Sequence, residues 1–297
     1  MLALCGPLMY PETMATGRHF AILAAFLLPV LPGKAGPAVM TPAQRQGAAF
    51  LDALSIPCPG EVFAALNKVC RPNWATLVTP ATAPVSGDRA QLALAIGVLT
   101  TDGYIAVEAQ DGQQVKNVGR EIMAMAKALG ISRSLLGRGN SLAEFAGSNA
   151  WDALADELAA TEGEVKSAMT GQKDRDLVLL TSAAAWLRGL ETATGVVLAD
   201  DSPSGAEVIR LPELAARLSS DLGMLPDRLG ANPRVIAVRQ ALDKASVLLS
   251  VQNPSPERQK NNLREIHEAS ASAVRVIMAS AKVTASPSPP ASAPPAR

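Results

Sequence analysis

Aromatic side chains make up only 3% of this chain, and histidine and cysteine number two and three among 297 residues. Each shortage removes a class of chemistry. Three of the few aromatics, Tyr10, Phe20 and Phe26, fall in an N-terminal segment expected to be cleaved, so stacking platforms for bases or sugars are poorly supplied. His267 is the only histidine outside that segment. A serine or cysteine nucleophile therefore has little choice of imidazole base. His267-Glu268 is followed at position 271 by Ala, which rules out the metalloprotease pattern HExxH. No pair of ExxH motifs is present to build a di-metal bundle. Net charge is short as well: 27 basic and 27 acidic residues cancel, so the chain carries no basic footprint for nucleic acid.

The cysteines suggest a compartment. Cys5 precedes the expected signal, which leaves Cys58 and Cys70 as a pair in the mature chain. Two thiols with no histidine nearby fill only half a zinc shell, and CxxCH for haem attachment is absent. No cofactor or metal is expected. A bonded pair suits an oxidising compartment, and the N-terminus agrees. Residues 1–36 read as a signal peptide whose true start is Met14: Arg18 and His19 supply a short basic region, 20–31 an apolar run, and 33–36 small residues. Pro29 and Pro32 interrupt that run, and a bilayer span needs about 20 apolar residues. The mature chain is thus expected to be exported, periplasmic or secreted, with no membrane span.

Most of the remainder has helical character. Thr41-Pro42-Ala43-Gln44 opens a helix over 42–54 with a cap and a first-turn proline. Short helices over 61–69 and 72–78 complete a small N-terminal module, 40–79, which the Cys58–Cys70 disulfide would staple if Ile56-Pro57-Cys58-Pro59-Gly60 folds back beside the first of them. A Pro/Ala/Thr linker follows at 79–87. The main bundle, 86–281, begins with a helix near Asp88. Asp111 caps the next, whose stripe Val115, Val118, Ile122, Met125 and Leu129 stops at Gly130. Gly137-Arg138-Gly139 has no third glycine and no preceding strand, so it reads as a flexible connector before a capping box at Ser141. Asn149 is placed as the cap of a helix carrying Trp151, Leu154, Leu158, Val165 and Met169. An apolar helix follows over 174–198, and Pro212, Pro233 and Pro256 mark three later helix starts. The stretch 200–211 begins like a calcium loop but ends on Leu211 in place of a bidentate Glu, and reads as a plain connection. Residues 282–297 are a Pro/Ala/Ser tail expected to be disordered. No segment alternates as a strand would. The fold class expected is all-α: a multi-helix bundle with the small disulfide-containing module in front and the Pro-rich tail behind.

Residues 91–108 are apolar on nearly every helical face, the pattern of a helix that other helices wrap. Asp102 sits among them. Val98, Leu99, Ile105 and Ala106 occupy the positions three and four residues away, so a continuous helix leaves its carboxylate in need of a buried partner. Arg188, inside the apolar run 183–190, is that candidate, unless 100–103 breaks the helix and Asp102 caps the second piece. Glu108 and Glu191 are the other carboxylates near the apolar helices, with Glu191 three residues from Arg188 on the same helix. His267, flanked by Glu265 and Glu268, reads as a solvated surface residue. No catalytic set assembles from these spacings. The chain reads as a non-catalytic binding or interaction protein of the cell envelope, with a protein or small-molecule partner. The alternative is a carboxylate-dependent hydrolase whose site lies near Asp102.

Overall fold

The structure, a computed structural model, describes residues 56–280, except the side chains of 132–136. The expected signal peptide (1–36), the expected 42–54 helix and the expected tail (282–297) all lie outside the described residues. Among those described, every regular element is helical and no strand occurs. In chain order they are α1 (Pro59–Leu66), a 3-10 turn (Trp74–Thr76), α2 (Arg89–Glu108), α3 (Gly112–Leu129), α4 (Ser132–Gly147), α5 (Trp151–Gly171) and α6 (Arg175–Asp200). Then come α7 (Pro203–Val208), α8 (Pro212–Gly223), α9 (Asp227–Gly230), α10 (Pro233–Leu249) and α11 (Pro256–Met278).

The helix starts follow from local chemistry. Asp88 accepts the Ala90 amide at 2.9 Å and opens α2, while its second oxygen takes the Asn232 amide at 2.8 Å. Asn232 in turn caps α10 through the Arg234 N–H, so one carboxylate ties two helix starts together. Asp111 caps α3 through Gln114 N–H, and Gly130 ends it at φ +79°, a conformation that glycine adopts without strain. Pro212, Pro233 and Pro256 all occupy the first turn, where a missing N–H costs nothing. Several expected boundaries are corrected, among them the capping box at Ser141, which lies inside α4 with its hydroxyl donating to the Gly137 carbonyl. Gly137 and Gly139 lie inside the continuous α4, where Arg138 reaches Glu157 of α5 at 3.1 Å, so packing holds this run in a helix despite its glycines. Asn149 is not the cap of α5. It takes φ +55° in the turn between α4 and α5, and Ala150 stands at the start.

α2 and α6 form the centre. Thr181 donates to the Ala93 carbonyl (3.0 Å), Thr101 to the Ala185 carbonyl (2.9 Å), and Arg188 meets Asp102 (2.8 Å). Residue numbers rise together along these pairs, so the two helices run parallel. The crossing is tight at Gly97, where an added Cβ would lie 2.2 Å from the Thr181 oxygen and 2.9 Å from the Ala185 nitrogen. Around the pair, α3 and α5 cover α2, while α11 covers α6 and touches α2. α8 and α10 pack as a hairpin whose faces join the same buried cluster. α2 is uniformly apolar because all its faces are buried, as they are from Ala90 to Val107. Gln91, at its start, donates to the carbonyls of Ile277 and Ala279 (2.8 Å each), and so caps the end of α11.

The expected Cys58–Cys70 disulfide is not formed, and both cysteines are free. Cys58 is the N-cap of α1 and does not fold back: its N–H donates to the Glu61 carboxylate at 2.9 Å. Past Leu66 the chain keeps turning in line, with Cys70 N–H on the Leu66 carbonyl. A helix-like rise over the twelve steps from Cys58 to Cys70 would separate the two Cα atoms by roughly 18 Å, whereas a bridge needs about 7 Å or less. The thiols also face different neighbours, Cys58 towards Gly60 and Cys70 towards Gly205. Phe63, Leu66, Cys70 and Trp74 pack with Tyr104, Ile105, Ala193 and Val196, so residues 56–79 share a core with the bundle.

One buried carboxylate on the α8 hairpin gives a pH prediction. Asp221 is 5% exposed, and its Oδ2 has no hydrogen-bond partner. Burial pushes its carboxyl up to about 6, against the pull of Arg217. A folded pKa above the unfolded value of about 3.9 means that the contribution to stability is complete below that value and is lost as pH rises through about 6. Asp221→Asn is therefore expected to raise Tm at pH 7 and leave it unchanged at pH 4. Equal shifts at both pH values would show that the carboxyl does not titrate in this window.

Candidate functional site

Asp102, Arg188 and Glu191 meet between the two central helices. α2 continues through 100–103 without a break, so the Asp102 side chain leaves a fully helical backbone facing α6. Arg188 Nε is 2.8 Å from Asp102 Oδ1, and Arg188 Nη1 is 2.9 Å from Glu191 Oε2, one helical turn further on. The second contact is an ion pair without hydrogen-bond alignment. All three side chains are nearly buried, at 8% exposure for Asp102, 11% for Arg188 and 14% for Glu191.

One cation thus serves two carboxylates. Burial pushes the Asp102 carboxyl above the ordinary range, Arg188 pulls it back only in part, and Glu191 adds to the rise. Burial works against the Arg188 charge, yet Asp102 and Glu191 outweigh it and hold the guanidinium protonated. Neither carboxylate nor the arginine lines the crevices around Trp186, Arg210 or Leu142. These crevices have little internal room, about 20 Å3 at most, which is space for a water molecule.

The other residues singled out by sequence lie elsewhere. Glu108 takes the Asn67 amide at 2.8 Å, and Asn67 accepts from the Trp74 indole at 2.9 Å, so this carboxylate fastens the 3-10 turn to α2. His267 is half-buried rather than solvated. Its Nδ1–H donates to the Glu191 carbonyl at 2.9 Å, joining α11 to α6. Among the described residues no group of three or more His, Cys, Asp or Glu is placed to hold a metal ion.

A second polar line was not legible beforehand. The Tyr104 hydroxyl lies 3.4 Å from Glu162 Oε2, and Lys166 holds the other Glu162 oxygen at 2.6 Å. The Cys58 thiol faces the same hydroxyl. Burial pushes both thiol and phenol up, so neither is an activated nucleophile. These groups come from α1, α2 and α5, and no spacing in the sequence links them. Comparison of the whole chain with family models, curated proteins and solved structures gives no match.

Proposed function

We propose that this chain is a non-catalytic helical binding protein of the cell envelope, exported under the direction of residues 1–36. The observation that carries the reading is the Arg188 guanidinium shared by Asp102 and Glu191, with neither carboxylate lining a described crevice. The carboxylate hydrolase draws on the same pair, because Glu191 stands close to Asp102. It needs the two carboxyls to take opposite protonation roles before a bound substrate, and Arg188 engages both. The Pro/Ala/Ser composition of 282–297 is that of a spacer between a domain and an anchoring partner.

Turnover of chromogenic esters, phosphoesters and glycosides by the full chain is expected to equal that of buffer. Turnover that falls at least about 100-fold in Asp102→Asn, with the fold intact, would replace the binding reading with the hydrolase. Export has its own test. Residues 1–36 fused to alkaline phosphatase should yield enzyme active outside the cytoplasm whether translation starts at Met1 or Met14. Fusion protein that accumulates without phosphatase activity from both starts would remove the envelope assignment.

A further inference from the structure

Asp221 stands in the last turn of α8, the end of a helix where the backbone dipole is negative and an anion is least at ease. Its side chain is 6% exposed, and Oδ2 has no hydrogen-bond partner. A charge buried in this way costs stability. Arg217, one turn back and half-exposed, places its Nε 3.9 Å from Oδ1. From α10 come Arg239, whose Nη1 lies 3.6 Å from where a Cβ on Gly223 would sit, and Asp243, which takes the Ser219 hydroxyl at 2.5 Å. On the α6 and α9 sides Asp176 and Arg228 act on each other. None of these groups meets the unpartnered Asp221 oxygen.

The chain just beyond is lightly held. Met224 is 67% exposed, α9 is one turn of four residues with none of them buried, and Leu225 and Leu229 are only partly covered where they pack on the core. The Leu225 N–H reaches the Leu222 carbonyl at a long 3.4 Å. Segments with so few buried contacts open locally, well below the cost of unfolding the whole protein. An ionised Asp221 gains water most cheaply by unwinding the α8 end at Gly223, which frees the corner that follows. We propose that Asp221 makes residues 222–231 a proton-controlled hinge, closed on the core while the carboxyl is protonated and opening more often, with Leu225 and Leu229 bared, once it ionises. This goes beyond the binding-protein reading and does not depend on it.

Hydrogen exchange on the full chain, corrected for the intrinsic effect of pH on amide exchange, tests the hinge. A carboxyl at about 6 when closed and about 3.9 when open makes opening grow as pH rises, by about tenfold between pH 5 and 7.5. Protection over 222–231 should fall by that factor, and stay below that of α2 and α6 at both pH values. Urea at about 1 M should leave it unchanged while lowering protection in α2 and α6, because a local opening exposes little surface. In Asp221→Asn the fall with pH should vanish. Equal protection at pH 5 and 7.5 in the natural chain would overturn the proposal without any variant. So would a fall that persists in Asp221→Asn, which assigns the proton elsewhere, or a corner whose protection matches the core and drops with urea, which makes the opening global.

Discussion

Gly97→Ala is expected to cost about 3 kcal/mol and lower Tm by about 10 °C in a domain of this size. The added methyl would lie 2.2 Å from the Thr181 oxygen and 2.9 Å from the Ala185 nitrogen, and both are backbone atoms of a helix buried on all sides. A flexible side chain could swing away, but a helix backbone cannot. α2 and α6 must separate instead, which stretches the hydrogen bonds Thr181 to Ala93 and Thr101 to Ala185. Each such buried bond contributes about 1 kcal/mol. Alanine's better helix propensity returns about 1 kcal/mol, too little to offset the loss. Gly163→Ala is the matched control, since that position in α5 is exposed with nothing within 4 Å. It should hold or raise Tm. Equal stability of the two variants would mean that the central crossing is loose enough to admit a methyl group.

Arg188→Met is expected to be the other severe substitution, at about 3–5 kcal/mol, because it strands two carboxylates in the interior. Asp102→Asn should stay within about 1 kcal/mol of the parent: its oxygen still accepts from Arg188 Nε, and the excess negative charge of the cluster disappears. The two variants therefore separate by charge rather than by volume. Acid should narrow the gap. With its cation gone, the Asp102 carboxyl rises further, and a raised carboxyl contributes its stability below the unfolded value of about 3.9, losing it as pH climbs through the folded value. Urea unfolding of both proteins at pH 4.5 and 7.5 measures this directly. An Arg188→Met deficit that is equal at both pH values would mean that Asp102 does not carry the charge in the folded protein.

How much of this was legible beforehand can be followed residue by residue. Asp102 declared its need for a partner because its helical neighbours are apolar, and Arg188 was the cation in the other apolar helix. Their separation of 2.8 Å is a tertiary fact. The Arg188–Glu191 pair, by contrast, is local, three residues apart on one helix, and was legible from the spacing. Cys58 and Cys70 show the limit from the other side. Composition argued for a bridge, but the N-cap hydrogen bond to Glu61 fixes the direction of α1 and keeps the thiols apart.

The sequence by itself determined most of the helix starts, though not the continuous α4. Caps, first-turn prolines and apolar stripes act within a few residues, and Asp88, Asp111, Pro212, Pro233 and Pro256 stand where their local chemistry puts them. Only the tertiary structure decided which faces meet. The parallel run of α2 beside α6, the methyl-free contact at Gly97 and the Tyr104–Glu162–Lys166 line each join segments dozens of residues apart. Close packing selects those pairings from the shapes of whole helices, and no short-range pattern records the shape of a partner.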